Sequence, residues 1–334
     1  MYPRMKTLIT GATGFVGSAV ARVLAARGHE LRLLVRPASD RRNLEGLDAE
    51  IAIGDLTDPE SLRRAAAGCR YVLHVAADYR FWVPDADAMM RANVDGAVAM
   101  VRAAADAGAE RIVHCSSVAA LGQIGDGTPA DEATRTNEAD FVGVYKRSKY
   151  RAERAVLELA AKESWPVVVV NPAAPVGPRD IKPTPTGKMV RDAASGRVPA
   201  YIDTGLNIVH VDDVAEGHAL ALEHGRIGER YVLGGENMLL KDILALISEV
   251  AGRRPPRVQL PEALVWPVAW AMEKSAGLTG IPPIMTRDHL KMARKKMFYS
   301  SAKAVAELGY KARPARQAVV DAVAWFRAAG MMKP

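Results

Sequence analysis

The chain has 334 residues, with 45 Lys or Arg against 38 Asp or Glu for a formal charge of +7, 49% hydrophobic and 25% charged residues, and two cysteines. That length and balance suit one large α/β domain or a principal domain with a smaller partner, and exclude a disordered chain, a disulfide scaffold and a repeat array. The arginines are spread along the chain rather than gathered in one block, and with 6% aromatics and no recognisable module no nucleic-acid partner is expected.

The opening MYPRMKTLIT lacks the charged region, apolar run and cleavage site of a secretory signal, so a cytoplasmic protein is expected. Residues 6–10 read as an apolar strand running into GATGFVG, where Gly11, Gly14 and Gly17 recur at three-residue spacing before an alanine-rich helix over 15–27 that Gly28 closes. Gly11 serves the tight turn, Gly14 lets backbone approach a phosphate, and Gly17 lets the helix lie close on the strand, with Thr13, Phe15 and Val16 completing the loop. The amino end of that helix offers unpaired N–H groups to an anion, and with a second strand at 31–36 the whole is a βαβ unit for a dinucleotide. The spacing differs by one residue from GxGxxG, so the strand before and the helix after carry the assignment. The second strand ends in Arg36, where an acid would bind the ribose 2′-hydroxyl of NAD. With Arg41 and Arg42 nearby and only Asp40 as a displaced acid, the site reads as one for the 2′-phosphate of NADP, the alternative being a solvated arginine.

Short, continuously apolar strands at 51–54, 71–75, 111–115 and 167–170 alternate with helical patterns at 59–67, 86–107 and 144–162. This predicts an α/β fold with a doubly wound parallel sheet, strands buried on both faces and ligands beyond their carboxyl ends. After Asn171, five prolines in PAAPVGPRDIKPTPTG stop the alternation and open a smaller substrate lobe. A strand and helix at 206–224 return to the first domain, with Asp212 or Asp213 as the helix cap. The expected division is therefore 4–171 plus about 206–226 for the dinucleotide, and 172–205 plus 227–334 for the substrate. Cys69 and Cys115 read as small buried hydrophobes, with neither a disulfide nor a metal implied. Residues 263–272 (ALVWPVAWAM), with Trp266 and Trp270 four apart, are too short to span a bilayer; a core-packed helix and a peripheral lipid contact would use the same residues.

Tyr145 and Lys149 form a YxxxK that a helix stacks on one face. A free phenol titrates at about pH 10, so a neighbouring positive charge is what lets it exchange protons at neutral pH. Ser116 and Ser117 emerge from the end of the fifth strand beside this helix, where a hydroxyl can orient a carbonyl while the tyrosine donates a proton to it.

TGATGFVG, the Gly54-Asp55-Leu56 triplet, HVAA, NVDG, SSVAALG, YKRSK and NPAAPVGP occur in the order seen in extended short-chain dehydrogenase/reductases, and the resemblance runs almost end to end. Within that superfamily the chain resembles dihydroflavonol-reductase-like proteins, and HVAADYRFW, PVGPRDIKPTPTG and NIVHVDDVAEGH resemble the hopanoid-associated sugar epimerase group. The resemblance implies Tyr145 as proton donor or acceptor, Lys149 as its pKa modifier and ribose anchor, and Asn93 as support for a proton-relay water. It implies Ser117 as the carbonyl-orienting hydroxyl; counting five back from Gly122 prefers it to its twin Ser116, and one extra bend would reverse the choice. It further implies Asp55 and Leu56 at adenine, Ala76 and Ala77 where the cofactor passes over the sheet, and Pro172 and Val176 beside the nicotinamide. Substrate candidates are Asp78, Tyr79, Arg80, Trp82, Arg179, Lys182 and Tyr201, while His210 packs or caps. Arg80, Arg179 and Lys182 would suit an anionic or polyhydroxylated substrate if they converge.

The leading expectation is an NADP(H)-dependent oxidoreductase acting on a small carbonyl compound or sugar derivative, with Tyr145 as acid or base. The alternative within enzymes is a nucleotide-sugar epimerase or dehydratase that retains its NAD(P), and the alternative of another class is a non-catalytic NADP sensor or scaffold. The long helices at 86–107 and 144–162 would serve equally a homodimer or the amphipathic surface of a monomer.

Overall fold

The computed structural model describes residues 5–79, 85–279 and 286–332. The dinucleotide half runs β1 (Lys6–Thr10), α1 (Phe15–Ala26), β2 (Glu30–Val35), β3 (Ala49–Ile53), α2 (Pro59–Ala66), β4 (Tyr71–His74), α3 (Ala86–Met90), a π-turn (Arg91–Asp95), α4 (Gly96–Asp106), β5 (Arg111–Cys115), α5 (Val144–Glu163) and β6 (Val167–Pro172). The remainder is β7 (Ala174–Val176), α6 (Pro185–Ala194), β8 (Ala200–Tyr201), β9 (Gly205–His210), α7 (Val211–His224), β10 (Arg230–Leu233), β11 (Glu236–Leu239), α8 (Leu240–Ala251), β12 (Val258–Gln259), α9 (Glu262–Thr279), α10 (Arg287–Ala293), α11 (Ala302–Leu308) and α12 (Ala315–Ala328).

Seven parallel strands lie in the order β10-β6-β5-β4-β1-β2-β3. The chain winds from β1 toward β3 and then crosses to β4 on the other side of β1, so the carboxyl ends of β1 and β4 flank the crevice where such sheets bind ligands. Alternate residues of each central strand enter opposite cores: Ile9, Val168 and Val170 meet α1, α7 and α11, whereas Leu8, Val167 and Val169 meet α2, α4 and α5. This two-sided burial is why the strands read as unbroken apolar runs. β3 departs from the pattern: it is the sheet edge, and Ile51 and Ile53 are exposed because only one strand pairs with it.

A second sheet, β11-β9-β7, packs with α6, α8 and α12 around Val176, Ile208, Val319 and Phe326. The returning segment thus divides. β9 belongs to this lobe sheet, while α7 lies on α1 in the main core through Val211, Val214, Ala215 and Ala219. β10 lies beyond the expected boundary at 226, yet its fully buried Tyr231, Val232 and Leu233 extend the main sheet next to β6. Neither Asp212 nor Asp213 caps α7. The last extended residue, His210, does so, its Nδ1 accepting the Asp212 N–H at 3.0 Å, and the two aspartates occupy the first turn, where they favour the helix dipole. Cys69 and Cys115 are buried free thiols.

Candidate active site

The glycine turn is a backbone cradle. Gly11 has φ +75°, and a Cβ there would stand 2.8 Å from the Ala76 backbone; a Cβ on Gly17 would stand 2.1 Å from the Gly11 carbonyl oxygen. α1 begins at Phe15 with no side-chain cap and no acid in its first turn, so its leading N–H groups stay available to an anion. Phe15 and Val16 send their side chains into the main core, so their backbone is what faces the turn. Thr13 is half-buried, and its carbonyl accepts from Asn43 Nδ2 at 3.2 Å.

Thr10 holds the crevice together. Its Oγ1 accepts from the Val75 and Ala76 N–H groups, both at 3.1 Å, so its proton goes to His74 Nδ1 at 2.8 Å. That makes His74 the neutral Nε2–H tautomer; burial, with Lys149 adding to it, holds its imidazole down to about 3. Ala76 is thereby fixed against the glycine turn, with Ala77 following it in the loop.

At the adenosine end, Arg36 is exposed at the end of β2. Burial pushes the Asp55 carboxyl up, but the Thr57 N–H and hydroxyl at 2.9 and 2.7 Å and the Arg36 charge together hold it below its usual range. Leu56 packs against Gly96, where a Cβ would stand 2.9 Å from the leucine Cβ. Asp40 is taken by Arg42, whose Nε and Nη2 reach its two oxygens at 3.1 and 2.6 Å and hold the carboxyl down to about 2. Among the described residues, the Arg36 and Arg41 side chains make no hydrogen bond or ion pair.

At the other end, Tyr145 sits in the first turn of α5 and is hydrogen-bonded to the Ser117 side chain. Burial pushes its phenol up to about 12, the Ser117 bond working the other way. Lys149 is buried one turn later and donates from Nζ to the Cys115 carbonyl at 3.0 Å; burial lowers its pKa against the raising influence of Glu153. Of the two serines, Ser117 is the one bonded to the phenol, while Ser116 Oγ is buried without a partner. Asn93, at the centre of the π-turn, accepts from Asp78 N at 2.7 Å and donates to Asp78 O at 2.8 Å and Ser148 Oγ at 2.9 Å. Ser148 Oγ in turn donates to the Tyr145 carbonyl at 2.8 Å, so Asn93 clamps the loop after β4 onto the helix that carries Tyr145.

The family profile that matches is the NAD dependent epimerase/dehydratase family, over residues 7–234. The chain belongs to that family. It is an NAD(P)-dependent oxidoreductase or epimerase of the extended short-chain dehydrogenase/reductase type. A Synechocystis sp. protein carried under the provisional name dihydroflavonol 4-reductase is 42% identical over 329 residues, 97% of this chain and 95% of that one. Sterol demethylase protein B of Methylococcus capsulatus is 34% identical over 330 residues, 98% of this chain and 100% of that one. The crystal structure of gox2253, 59% identical, superposes with a TM-score of 0.90 over 99% of this chain and 100% of that one. The glycine cradle, the uncapped α1 and the β1–β4 crevice fit the dinucleotide of this family.

The substrate candidates scatter. Tyr79 and Lys182 meet, the Tyr79 hydroxyl lying 3.5 Å from the Lys182 carbonyl, and Asp78 is fixed beside them by Asn93. Arg179 turns away from this group: at φ +75° it pairs with Asp212, and its carbonyl accepts from Asn43 Nδ2 at 3.1 Å. Tyr201 lies in β8 against the lobe core, as does Val176 in β7, while Pro172 ends β6. Arg80 and Trp82 lie outside the described residues. His210, besides capping α7, places Nε2 3.1 Å from Asp321. Residues that shape the site and were missed from sequence include Thr10, Asn43, Ser148, Glu153 and Asn171. A threonine ending a strand or an asparagine in a loop carries no mark until its distant partner is known.

Proposed function

We propose that this family member is an NADP(H)-dependent reductase of a small carbonyl compound. The observation that carries the cofactor choice is the pairing of Asp40 with Arg42, which occupies the acid nearest the adenosine ribose while Arg36 and Arg41 remain unpaired for a 2′-phosphate. Lys182 adds to this cationic rim, since its charge is felt at Asp40. The turn of Gly11, Gly14 and Gly17 would hold NADPH, which would supply the hydride. Ser117 orients the substrate oxygen through its hydroxyl, and Tyr145 moves its phenolic proton from Oη to that oxygen as the alcohol forms. A phenol raised to about 12 is protonated at neutral pH and so stands ready as an acid. Lys149, fixed on the Cys115 carbonyl, stabilises the phenolate left behind. A ring-bearing carbonyl substrate agrees with relatives named for a dihydroflavonol and a sterol.

The test is to denature freshly purified protein, identify released nucleotide by mass spectrometry, and titrate the emptied protein with NADPH and NADH. Much tighter NADPH binding, weakened about 10- to 100-fold in Arg36→Ala with NADH binding nearly unchanged, is expected from loss of a charge-assisted contact. Stoichiometric, tightly held NAD(H) would instead establish the retained-cofactor cycle of an epimerase.

A further inference from the structure

α9 is apolar on two opposite sides. Val265, Ala269 and Ala276 face inward, with Val265 and Ala269 meeting Leu290 and Ile202, and this accounts for one side of the helix. The opposite side carries Ala263, Leu264, Pro267, Val268, Trp270 and Ala271, all exposed, with Leu264 at 66%, Val268 at 51% and Trp270 at 49%. A helix apolar all round belongs inside a core or in lipid, and half of this one faces outward. Val258 and Leu260, exposed just before it, extend the same apolar surface.

Charge identifies the occupant. Residues 251–300 hold nine Lys or Arg and three Asp or Glu, leaving 36 basic and 35 acidic residues for the rest of the chain, so nearly the whole formal excess of +7 falls in the stretch of sequence that contains this helix. Although arginines occur throughout the sequence, the imbalance is local. Of the three acids, Glu273 is paired with Arg287 and Asp288 with Lys291. Arg253, Arg254, Arg257, Lys274 and Lys295 are exposed and make no ion pair among the described residues. Two copies of so cationic a face would repel one another. An exposed Trp- and Leu-bearing helix rimmed by unpaired cations matches instead the interface of an anionic bilayer, where aromatic and aliphatic side chains enter the headgroup region and Lys and Arg meet lipid phosphate. No described helix is long and apolar enough to cross a membrane, so the contact would be peripheral.

We infer that the outer face of α9, with its cationic rim, docks the protein on an anionic lipid surface. The inference does not rest on the proposed reductase activity. The segment after α9 borders the catalytic helix: Asp288 Oδ2 lies 3.7 Å from where a Gly143 Cβ would be, and the Lys295 charge lowers the pKa of buried Lys146, after burial itself.

The test is co-sedimentation of the full chain with vesicles of phosphatidylcholine alone or with about 30% phosphatidylglycerol, at low and high salt. Binding to the anionic vesicles that falls with salt is expected. The triple variant Leu264→Ser/Val268→Ser/Trp270→Ser should bind at least about 10-fold more weakly, and Lys274→Glu/Lys295→Glu should lose the preference for anionic lipid, both keeping normal NADPH affinity. No binding by the unaltered chain, or equal binding by the triple variant, overturns the inference. So does a dimer in sedimentation velocity that the triple variant splits while vesicles stay unbound, which would make a second copy the occupant.

Discussion

Glu153 is the most exacting test of how the site is supported. Its carboxylate is buried, with Oε1 accepting from Arg230 at 2.8 Å and Oε2 from Asn171 Nδ2 at 2.6 Å. The same Asn171 nitrogen donates to the Ser117 carbonyl at 3.0 Å, so Glu153 reaches Ser117 through one residue. Removing one partner of a buried charge pair costs about 3–5 kcal/mol because the other is left uncompensated. Arg230 is 29% exposed and also donates to the Glu132 carbonyl, so water and that oxygen relieve part of the loss and place Glu153→Ala at the low end, about 3 kcal/mol. Glu153→Gln keeps the shape and should cost about half as much. Urea unfolding followed by circular dichroism measures both. Turnover should fall about 10-fold in Glu153→Ala with KM little changed, since Asn171 loses the group that aims it at Ser117. The charge matters to Lys149 as well: Glu153 raises its depressed pKa, so the alkaline limb of the pH–rate profile, where Lys149 loses its proton, should move to lower pH. Stability within about 0.5 kcal/mol of the parent and an unmoved alkaline limb would refute this account.

Tyr145→Phe should leave NADPH affinity nearly unchanged and lower turnover by about 10²-fold or more; normal turnover would remove the phenol from the mechanism. Gly17→Ala puts a Cβ 2.1 Å from the Gly11 oxygen, so α1 must retreat; NADPH binding measured by fluorescence titration should weaken at least about 10-fold, with about 1–3 kcal/mol of stability lost. Acid stability follows from buried neutral imidazoles. Burial holds His218 down to about 4, below its usual 6.5, so its contribution is complete above 6.5 and is lost as pH falls toward 4. Between pH 7 and 5 the parent should lose about 2 kcal/mol more than His218→Leu in urea unfolding, and parallel losses would exclude the histidine as a cause.

The sequence was legible where structure is local. The first strand, the glycine turn and the YxxxK helix are each set by residues within a few positions of one another, and their elements lie within one or two residues of expectation. Contacts made across the fold left no such trace. The helical pattern at 86–107 carries no hint that it widens into a π-turn at Arg91–Asp95, because that turn is held by Asn93 reaching Asp78 and Ser148, respectively 15 and 55 residues away. Arg179 read as a substrate cation from its loop alone; its partner Asp212 is 33 residues on. β10 gave no sign of joining the main sheet, since three apolar residues, Tyr231, Val232 and Leu233, after a turn suit any buried strand.

The two ends of the site are supported in different ways, and this bears on which will tolerate change. The Tyr145 end is fixed by bonds within the sheet and its neighbouring helix, namely Lys149 to Cys115 and Asn93 to Ser148, and Thr10 likewise fixes the Ala76 loop beside the glycine turn. These groups are buried, so each must keep its partner or strand a polar atom away from water. The phosphate end depends on a cross-tie instead. Asn43 donates to the Thr13 and Arg179 carbonyls, while Arg179 pairs with Asp212 at the start of α7, and α7 packs along α1. The loop beyond Arg179 is therefore tied to the glycine turn through Asn43 and to α7 through the Arg179–Asp212 pair, whereas among the described residues Tyr79 and Lys182 are joined by a single contact at 3.5 Å. Exchange of substrate class among such relatives would be cheapest at that weakly tied pair and costliest at Asn43 and Thr10, which carry no chemistry themselves but hold the parts that do.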